Sequence, residues 1–540
     1  MQSFRQYRRL REAVREDLAR AQANSSSPDS TGTSTPEAES KAEPARNQKK
    51  EEKLLPLVAG VTVSRPAEHN GTVTYIVGWK EDDPLEPHNW SLAQKWWCTV
   101  AVCLIGMAVS IPSSIDAPVS DQFNEYYGVG PIAGSMTTGM YLLGLGTGSL
   151  FAGPFSETLG RNAIYLSTMV VFIIFIMAKA LAPNFGAALV FRFLTAFFGS
   201  TPLTCAGGTI ADIWGPLEFT FALPFTTISS YAAPFLGPVI GAYLPGVGFR
   251  WADWIALLIS AAVLIVIILF QPETYGPLLL EWKAHHLREL TGDDRYQVDT
   301  HASATTLGRR LLISVYRPFQ MTYTEPIILI FSFYLIILYI VLFTFLNGYP
   351  YIFTQTYGIS KSLTYVIWVA MLVGDSIALP LIPIVYGWTK NAAANAAAKG
   401  EPLQPEVCMY WAMMGGSILL PISLFWMGWT CYPHVSIWSP IIGSFVFGYG
   451  FVTVFSTTYL YICFIYTIYS ASALTFMTFS RYIIAGALLP ASIPMYNRLG
   501  PHFTLTLLGT IMALMAPVPF LLYRYGHKVR AMSKNVQVKT

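Results

Sequence analysis

Apolar runs of about 20 residues recur along this 540-residue chain, and their recurrence limits the possible folds more than any other feature. A helix rises 1.5 Å per residue, so about 20 apolar residues cross the roughly 30 Å hydrocarbon core of a bilayer. Twelve such spans are expected, at roughly 97–115, 132–152, 163–183, 187–211, 219–244, 252–271, 326–349, 364–387, 408–430, 436–458, 470–494 and 502–524. Composition points the same way. Hydrophobic residues make up 53% of the chain and charged residues 12%, where a soluble domain carries about 25% charged residues. The expected class is a polytopic all-α membrane protein.

The polar stretch 272–325 splits the spans into six and six. Spans 1 and 7 begin about 230 residues apart, as two parallel half-repeats would. The expected organisation is a cytoplasmic, largely disordered tail over 1–95 and a first six-helix bundle over 96–271. A central cytoplasmic loop over 272–325, a second bundle over 326–525 and a cytoplasmic tail over 526–540 follow. The positive-inside rule sets the orientation. Arg5, Arg8, Arg9, Arg15 and Arg20 lie in the N-tail, Lys283, Arg288, Arg295, Arg309, Arg310 and Arg317 in the central loop, and Lys528, Arg530, Lys534 and Lys539 at the end. The opposite loops carry few cations (Arg250, Lys361, Arg498), and loop 113–131 holds Asp116, Asp121 and Glu125 without Lys or Arg. Both termini are therefore expected in the cytoplasm.

Within the N-tail, Tyr7, Leu10, Val14 and Leu18 form one stripe of a basic helix, read either as lying on an anionic leaflet or as solvated. Residues 21–53, rich in Ser, Thr, Pro, Glu and Lys, are expected to be disordered. No cleavable signal peptide is visible, so the first span is expected to act as the insertion signal.

Signatures of soluble catalysis are absent. The chain has no G-x-x-x-x-G-K-[ST] loop and no H-E-x-x-H. Its six cysteines are scattered and form no C-x-x-C pair, which suits small buried hydrophobes better than disulfides or metal ligands. His285 and His286 are assigned to a solvated amphipathic helix, not to a metal site. No metal and no cofactor is expected. Uphill movement without a nucleotide site requires an ion gradient.

Charges inside spans then become informative, because each costs about 2.5–3.5 kcal/mol at the bilayer centre and needs a partner or an aqueous cavity. Arg192 in span 4 and Asp375 in span 8 are candidates for proton coupling or substrate contact, with structural pairing as the alternative. Arg481 in span 11 is a candidate cavity residue, with Tyr334, Tyr339, Phe343 and Asn347 of span 7. Span 7 is crowded with aromatic rings, and those facing a cavity would stack on a flat or apolar ligand. Pro234, Gly237, Pro238 and Gly241 in span 5 suggest a kinked, closely packed helix interface. The stretch from Gly153 to Asn162 reads as a short polar turn between spans 2 and 3. Glu157 and Arg161 supply opposite charges there, Gly160 lets the helices approach, and Asp212 closes span 4.

These motifs carry a resemblance. From about residue 73 to 530 the chain resembles the fungal twelve-span drug:proton antiporter branch of the major facilitator superfamily. It is also similar to the toxin-efflux and polyamine-type members of that branch. Gly153–Asn162 resembles the superfamily's signature turn, Arg192-Phe193…Gly199-Ser200 its span 4 motif, and Gly237-Pro238-x-x-Gly241 the antiporter signature. Pro272-Glu273-Thr274-Tyr275 and Glu325-Pro326 also resemble the family pattern. Phe219-Thr220 replaces a frequent Arg-Gly, Ala242 replaces the final antiporter glycine, and the region before span 11 lacks an Asp found in many relatives.

The resemblance implies two six-helix bundles related by a pseudo-two-fold axis, working by alternating access. It implies a proton-driven exporter of a hydrophobic, aromatic small molecule such as a fungal toxin, metabolite or drug. The implied partners are that substrate, protons and the lipid bilayer, with no nucleic acid, in a monomer at the cell membrane. The missing carboxylate weighs against polyamines. A polyamine or polar-nutrient transporter is the alternative within transport, and a non-transporting receptor on the same scaffold is the alternative outside it. A receptor would carry a large folded soluble domain.

Overall fold

The computed structural model describes residues 2–25, 58–64, 74–298 and 307–533. Most of the low-complexity stretch, Asn70, Lys534, Lys539 and the side chains of Arg309 and Arg310 lie outside the described residues. The chain divides into two compact units. One comprises Met1–Trp90 with Tyr275–Ala304, the other Ser91–Thr274 with Thr305–Thr540.

In the larger unit every expected span is helical. The first six are Leu92–Ser110, Pro131–Leu159, Arg161–Ala180, Phe185–Ile213, Pro216–Gly241 and Trp251–Phe270. Pro131, Pro216 and Pro326 each open a helix, where a missing N–H costs nothing. Asn184 caps span 4 by accepting from the Ala187 N–H at 2.8 Å. Nine helical stretches among the described residues are long and apolar enough to cross a membrane. One of these, Ser470–Met532, contains both expected spans 11 and 12. Pro131–Leu159 and Pro216–Gly241 fall short because Gly, Ser, Thr and Pro dilute their apolar content, and those small residues let neighbouring helices approach closely.

The second six are less regular. Span 8 breaks into Lys361–Val366, Val369–Ser376 and Ile382–Ala398, with Pro380 and Pro383 at the last break. Span 9 contains a left-handed Gly415 (φ +103°) and the turn between spans 11 and 12 a left-handed Gly500 (φ +70°). An amphipathic helix, Leu307–Thr324, precedes span 7, and its Arg317 lies 4.2 Å from the centre of the Tyr469 ring.

The expected ten-residue turn at 153–162 is corrected here. Helix continues to Leu159 and resumes at Arg161, so the hinge is the single residue Gly160 (φ +87°). Nothing from Phe155 to Leu159 breaks a helix, and the Ser156 hydroxyl donates back to the Gly153 carbonyl at 3.0 Å.

The smaller unit is a folded α/β unit. Helix Gln2–Ser25 and helix Gly276–Thr291 pack with a hairpin whose strands Val61–Ser64 and Thr74–Val77 run antiparallel, Val61 opposite Val77. Tyr296–Gln297 adds a short parallel strand, Tyr75 opposite Tyr296. Val14, Leu18, Val61, Tyr75, Leu287 and Tyr296 form its core. Two expectations change. The N-terminal stripe Leu10, Val14 and Leu18 is buried by protein, neither on a leaflet nor in water. His286 is also buried, and the Tyr7 ring lies 4.3 Å from it. Each amphipathic helix had an apolar face to cover, and each contributes to covering the other. Arg11 and Glu289 close the rim at 2.7 Å.

Candidate functional site

Four charged side chains meet in the first half. Span 1 ends at Ser110, and a 3-10 turn carries the chain on to Asp116. Lys179 of span 3 lies 2.8 Å from Asp116 and 2.7 Å from Asp253, in the first turn of span 6. Arg192 of span 4 lies 2.9 Å from Asp116 and 3.9 Å from Asp253. Arg192 also donates to the Pro112 carbonyl and stands 4.6 Å from the centre of the Tyr141 ring. Two carboxylates and two cations compensate one another, which is how such groups persist away from water. A cavity of about 30 Å³ adjoins, lined by Asp116, Lys179, Thr137, Thr138 and Asn347, with room for roughly two waters.

The span 5 motif supports this cluster directly. A Cβ on Gly237 would come within 2.8 Å of the Ile111 carbonyl, and one on Gly241 within 2.9 Å of Pro118. The Ser114 hydroxyl donates to the Pro234 carbonyl at 2.8 Å, where Pro238 has no N–H to use that acceptor. Small residues and prolines thus seat span 5 against the turn bearing Asp116.

At the other end of this half lies a latch. Arg161 pairs with Asp212 at 2.9 Å and donates to the Ser156 hydroxyl at 2.6 Å. Glu273 accepts from the Arg161 and Asn162 backbone N–H groups at 2.9 and 3.1 Å, capping span 3 with a carboxylate where the helix dipole favours one. Glu157, expected to join this group, is exposed. In the second half Arg530 pairs with Glu406 and donates to Gln404 at 3.2 Å.

Between the halves, Arg481 sits in an aromatic cage. Its guanidinium carbon lies 5.0 Å from the ring centres of Tyr339, Phe455 and Tyr482, and 5.6 Å from that of Tyr459. It donates to the Tyr459 hydroxyl at 2.9 Å and to the hydroxyl of Tyr231, from span 5, at 3.3 Å.

The expected site residues separate into several places. Tyr339 and Arg481 belong to the cage, and Phe343 touches Tyr339 at 5.8 Å. Asn347 bonds Ser492 at 2.9 Å and lines the cavity beside Asp116 instead. Among the described residues the buried Tyr334 hydroxyl has no hydrogen-bond partner. Arg192 and Asp375 do not meet. Asp375 is fully buried in span 8, both oxygens without a donor among the described residues, beside Gly374 where the backbone approaches Phe445 of span 10. Asp253, Tyr231, Phe455 and Tyr459 were not anticipated. Asp253 reads in sequence as an ordinary acidic residue in a first helical turn, and only its spacing opposite Lys179 could have marked it.

Residues 97–490 match the family profile of the Major Facilitator Superfamily. The MFS-type transporter kojT of Aspergillus flavus is 42% identical, covering 99% of this chain and all of the relative. The MFS-type transporter paaT of Penicillium rubens is 31% identical over 84% of this chain and 82% of its own length. Among solved structures, the proton:xylose symporter XylE shares the fold with a TM-score of 0.58 at 13% identity, covering 81% of this chain and 96% of that one. These relatives are transporters, not enzymes. The chain belongs to the Major Facilitator Superfamily and is a multi-pass membrane transporter of that family.

Proposed function

We propose that this transporter exports a hydrophobic, aromatic small molecule in exchange for protons, from a cell membrane with both termini in the cytoplasm. The observation that carries the reading is the central cage, in which Tyr231 of the first half packs on Phe451 and Phe455 of the second, and Phe455 in turn adjoins Tyr339 and Tyr459. Rings contributed by both halves part when the halves rock, which opens an apolar, stacking surface to one side at a time. Proton exchange is assigned to the Asp116, Lys179, Arg192 and Asp253 cluster and to Asp375. The first couples to the cage through span 5, which bears both Tyr231 and the glycines seated against the Asp116 turn. Asp375 offers, in the other half, a buried carboxyl without a donor among the described residues.

The test measures accumulation of a panel of aromatic toxins in cells with and without the protein, before and after a protonophore, with ATP monitored. Lower accumulation in expressing cells, abolished by the protonophore while ATP persists, is expected. Equal accumulation removes the export reading. Export that survives collapse of the gradient removes the antiport mechanism.

A further inference from the structure

Arg481 differs from the other enclosed arginines. Arg161, Arg192 and Arg530 each meet a carboxylate. Arg481 is 1% exposed, and among the described residues its hydrogen bonds go to two phenol oxygens. Ring faces stabilise a desolvated guanidinium but do not neutralise it. A planar fork of donors, held on a rigid span, is the group that recognises a carboxylate or another delocalised anion through two parallel bonds.

The rings beside it set the shape of what can bind. Phe451 and Phe455 are stacked at 22°, and Phe455 and Tyr459 at 29°. Such a ladder admits a flat ring more readily than a bulky one. The weaker of the two phenol contacts, at 3.3 Å, comes from Tyr231 in the opposite half. It is the contact that separates when the halves part, and its oxygen marks where a ligand oxygen would sit.

We infer that the cage is a binding site for planar aromatic acids, taken as anions. The deprotonated oxygen meets Arg481 in place of the Tyr231 hydroxyl, and the ring stacks on the Phe451, Phe455 and Tyr459 ladder. This inference rests on the transport reading and narrows its substrate class. It excludes cationic amines, which the guanidinium repels.

The experiment uses inside-out vesicles holding the full-length protein, with an acidic interior and two radiolabelled probes of nearly identical shape. One is salicylate, an anion at neutral pH, and the other is salicylamide, its neutral amide. Wild type is expected to accumulate salicylate at least tenfold faster than salicylamide. Arg481→Gln is expected to lose that difference, and Arg481→Lys to retain part of it. Tyr231→Phe removes the competing hydroxyl and is expected to lower the salicylate KM several-fold, which keeps the idea testable if Arg481→Gln does not reach the membrane. Gradient-driven uptake of salicylamide at the salicylate rate, uptake of neither probe, or an unchanged KM in Tyr231→Phe would overturn the anion site. In the first case the export reading would stand. Salicylate uptake indifferent to the proton gradient would remove antiport and leave the anion site in place. Inorganic chloride at equal concentration is expected not to compete, and full competition by chloride would mark a simple anion site without aromatic selectivity, contradicting the inference.

Discussion

Gly139 of span 2 and Gly486 of span 11 touch backbone to backbone. A Cβ on either one would come within 2.8 Å of the other's carbonyl oxygen. The contact joins the two halves and defines the arrangement of the helices in this state. Valine at Gly139 or Gly486 must separate them. Overpacking of this kind costs about 1–3 kcal/mol, a roughly five- to 150-fold loss in the population of this arrangement. Transport by either variant is expected to fall while the protein still reaches the membrane. Faster amide exchange in 131–159 and 470–499 would show the separation. Normal transport with unchanged exchange would mean that the contact is incidental.

Lys179→Met leaves two buried carboxylates sharing Arg192. Breaking a buried pair typically costs about 3–5 kcal/mol, so the purified protein is expected to melt at a clearly lower temperature. Lys179→Met combined with Asp253→Asn removes one charge of each sign and is expected to recover most of that loss. A single variant that melts like wild type would show that the cluster contributes nothing to stability.

Gly160 adopts a left-handed φ that side chains resist, at a cost of about 1–3 kcal/mol. Gly160→Val and Arg161→Ala are both expected to slow cycling while substrate binding persists, because the latch shares no residue with the cage. Equilibrium binding measured beside the transport rate separates these effects. Lost binding in a folded variant contradicts the assignment.

His286 makes the smaller unit sensitive to acid. Burial lowers its imidazole below the usual histidine value, Glu289 opposes that shift, and His285 and Arg11 add to it. The folded state therefore binds the proton more weakly than the unfolded chain. Its contribution to stability is present above about pH 6.5 and is lost as pH falls. Amide exchange across 276–291 is expected to accelerate between pH 7.5 and 5.5, and His286→Leu is expected to flatten that dependence. Equal acceleration in both proteins would place the acid sensitivity elsewhere.

Three acceptor sequences begin at Asn24, Asn70 and Asn89, all ahead of span 1. With that tail in the cytoplasm, none is expected to carry a glycan. A mobility shift on deglycosylation, mapped to any of the three, would invert the orientation and withdraw the export reading.

Most spans were legible because lipid demands long apolar runs; spans 2 and 5, diluted by Gly, Ser, Thr and Pro, meet that demand least. Arg192, Arg481 and Asp375 were legible for the converse reason, since a charge in such a run is costly. Their partners were not. Asp116 reads as a loop acid and Asp253 as a helix-start acid, and only three-dimensional packing brings them to Lys179. The Arg481 cage draws on spans 5, 7, 10 and 11, whose rings look alike in sequence whether they face lipid, core or cavity. The N-terminal helix illustrates the same limit. Its stripe announces a buried face but not what buries it.

The charge cluster in the first half also has an electrical consequence. Asp116, Lys179, Arg192 and Asp253 sum to zero in their ordinary ionised forms. A membrane potential does work on net charge, about 2.3 kcal/mol for each elementary charge moved through 100 mV. The cluster as it stands is nearly invisible to that field. One added proton makes it a monocation, drawn toward a negative cytoplasm. Voltage would therefore act on this cluster in its proton-loaded form and not in its unprotonated one.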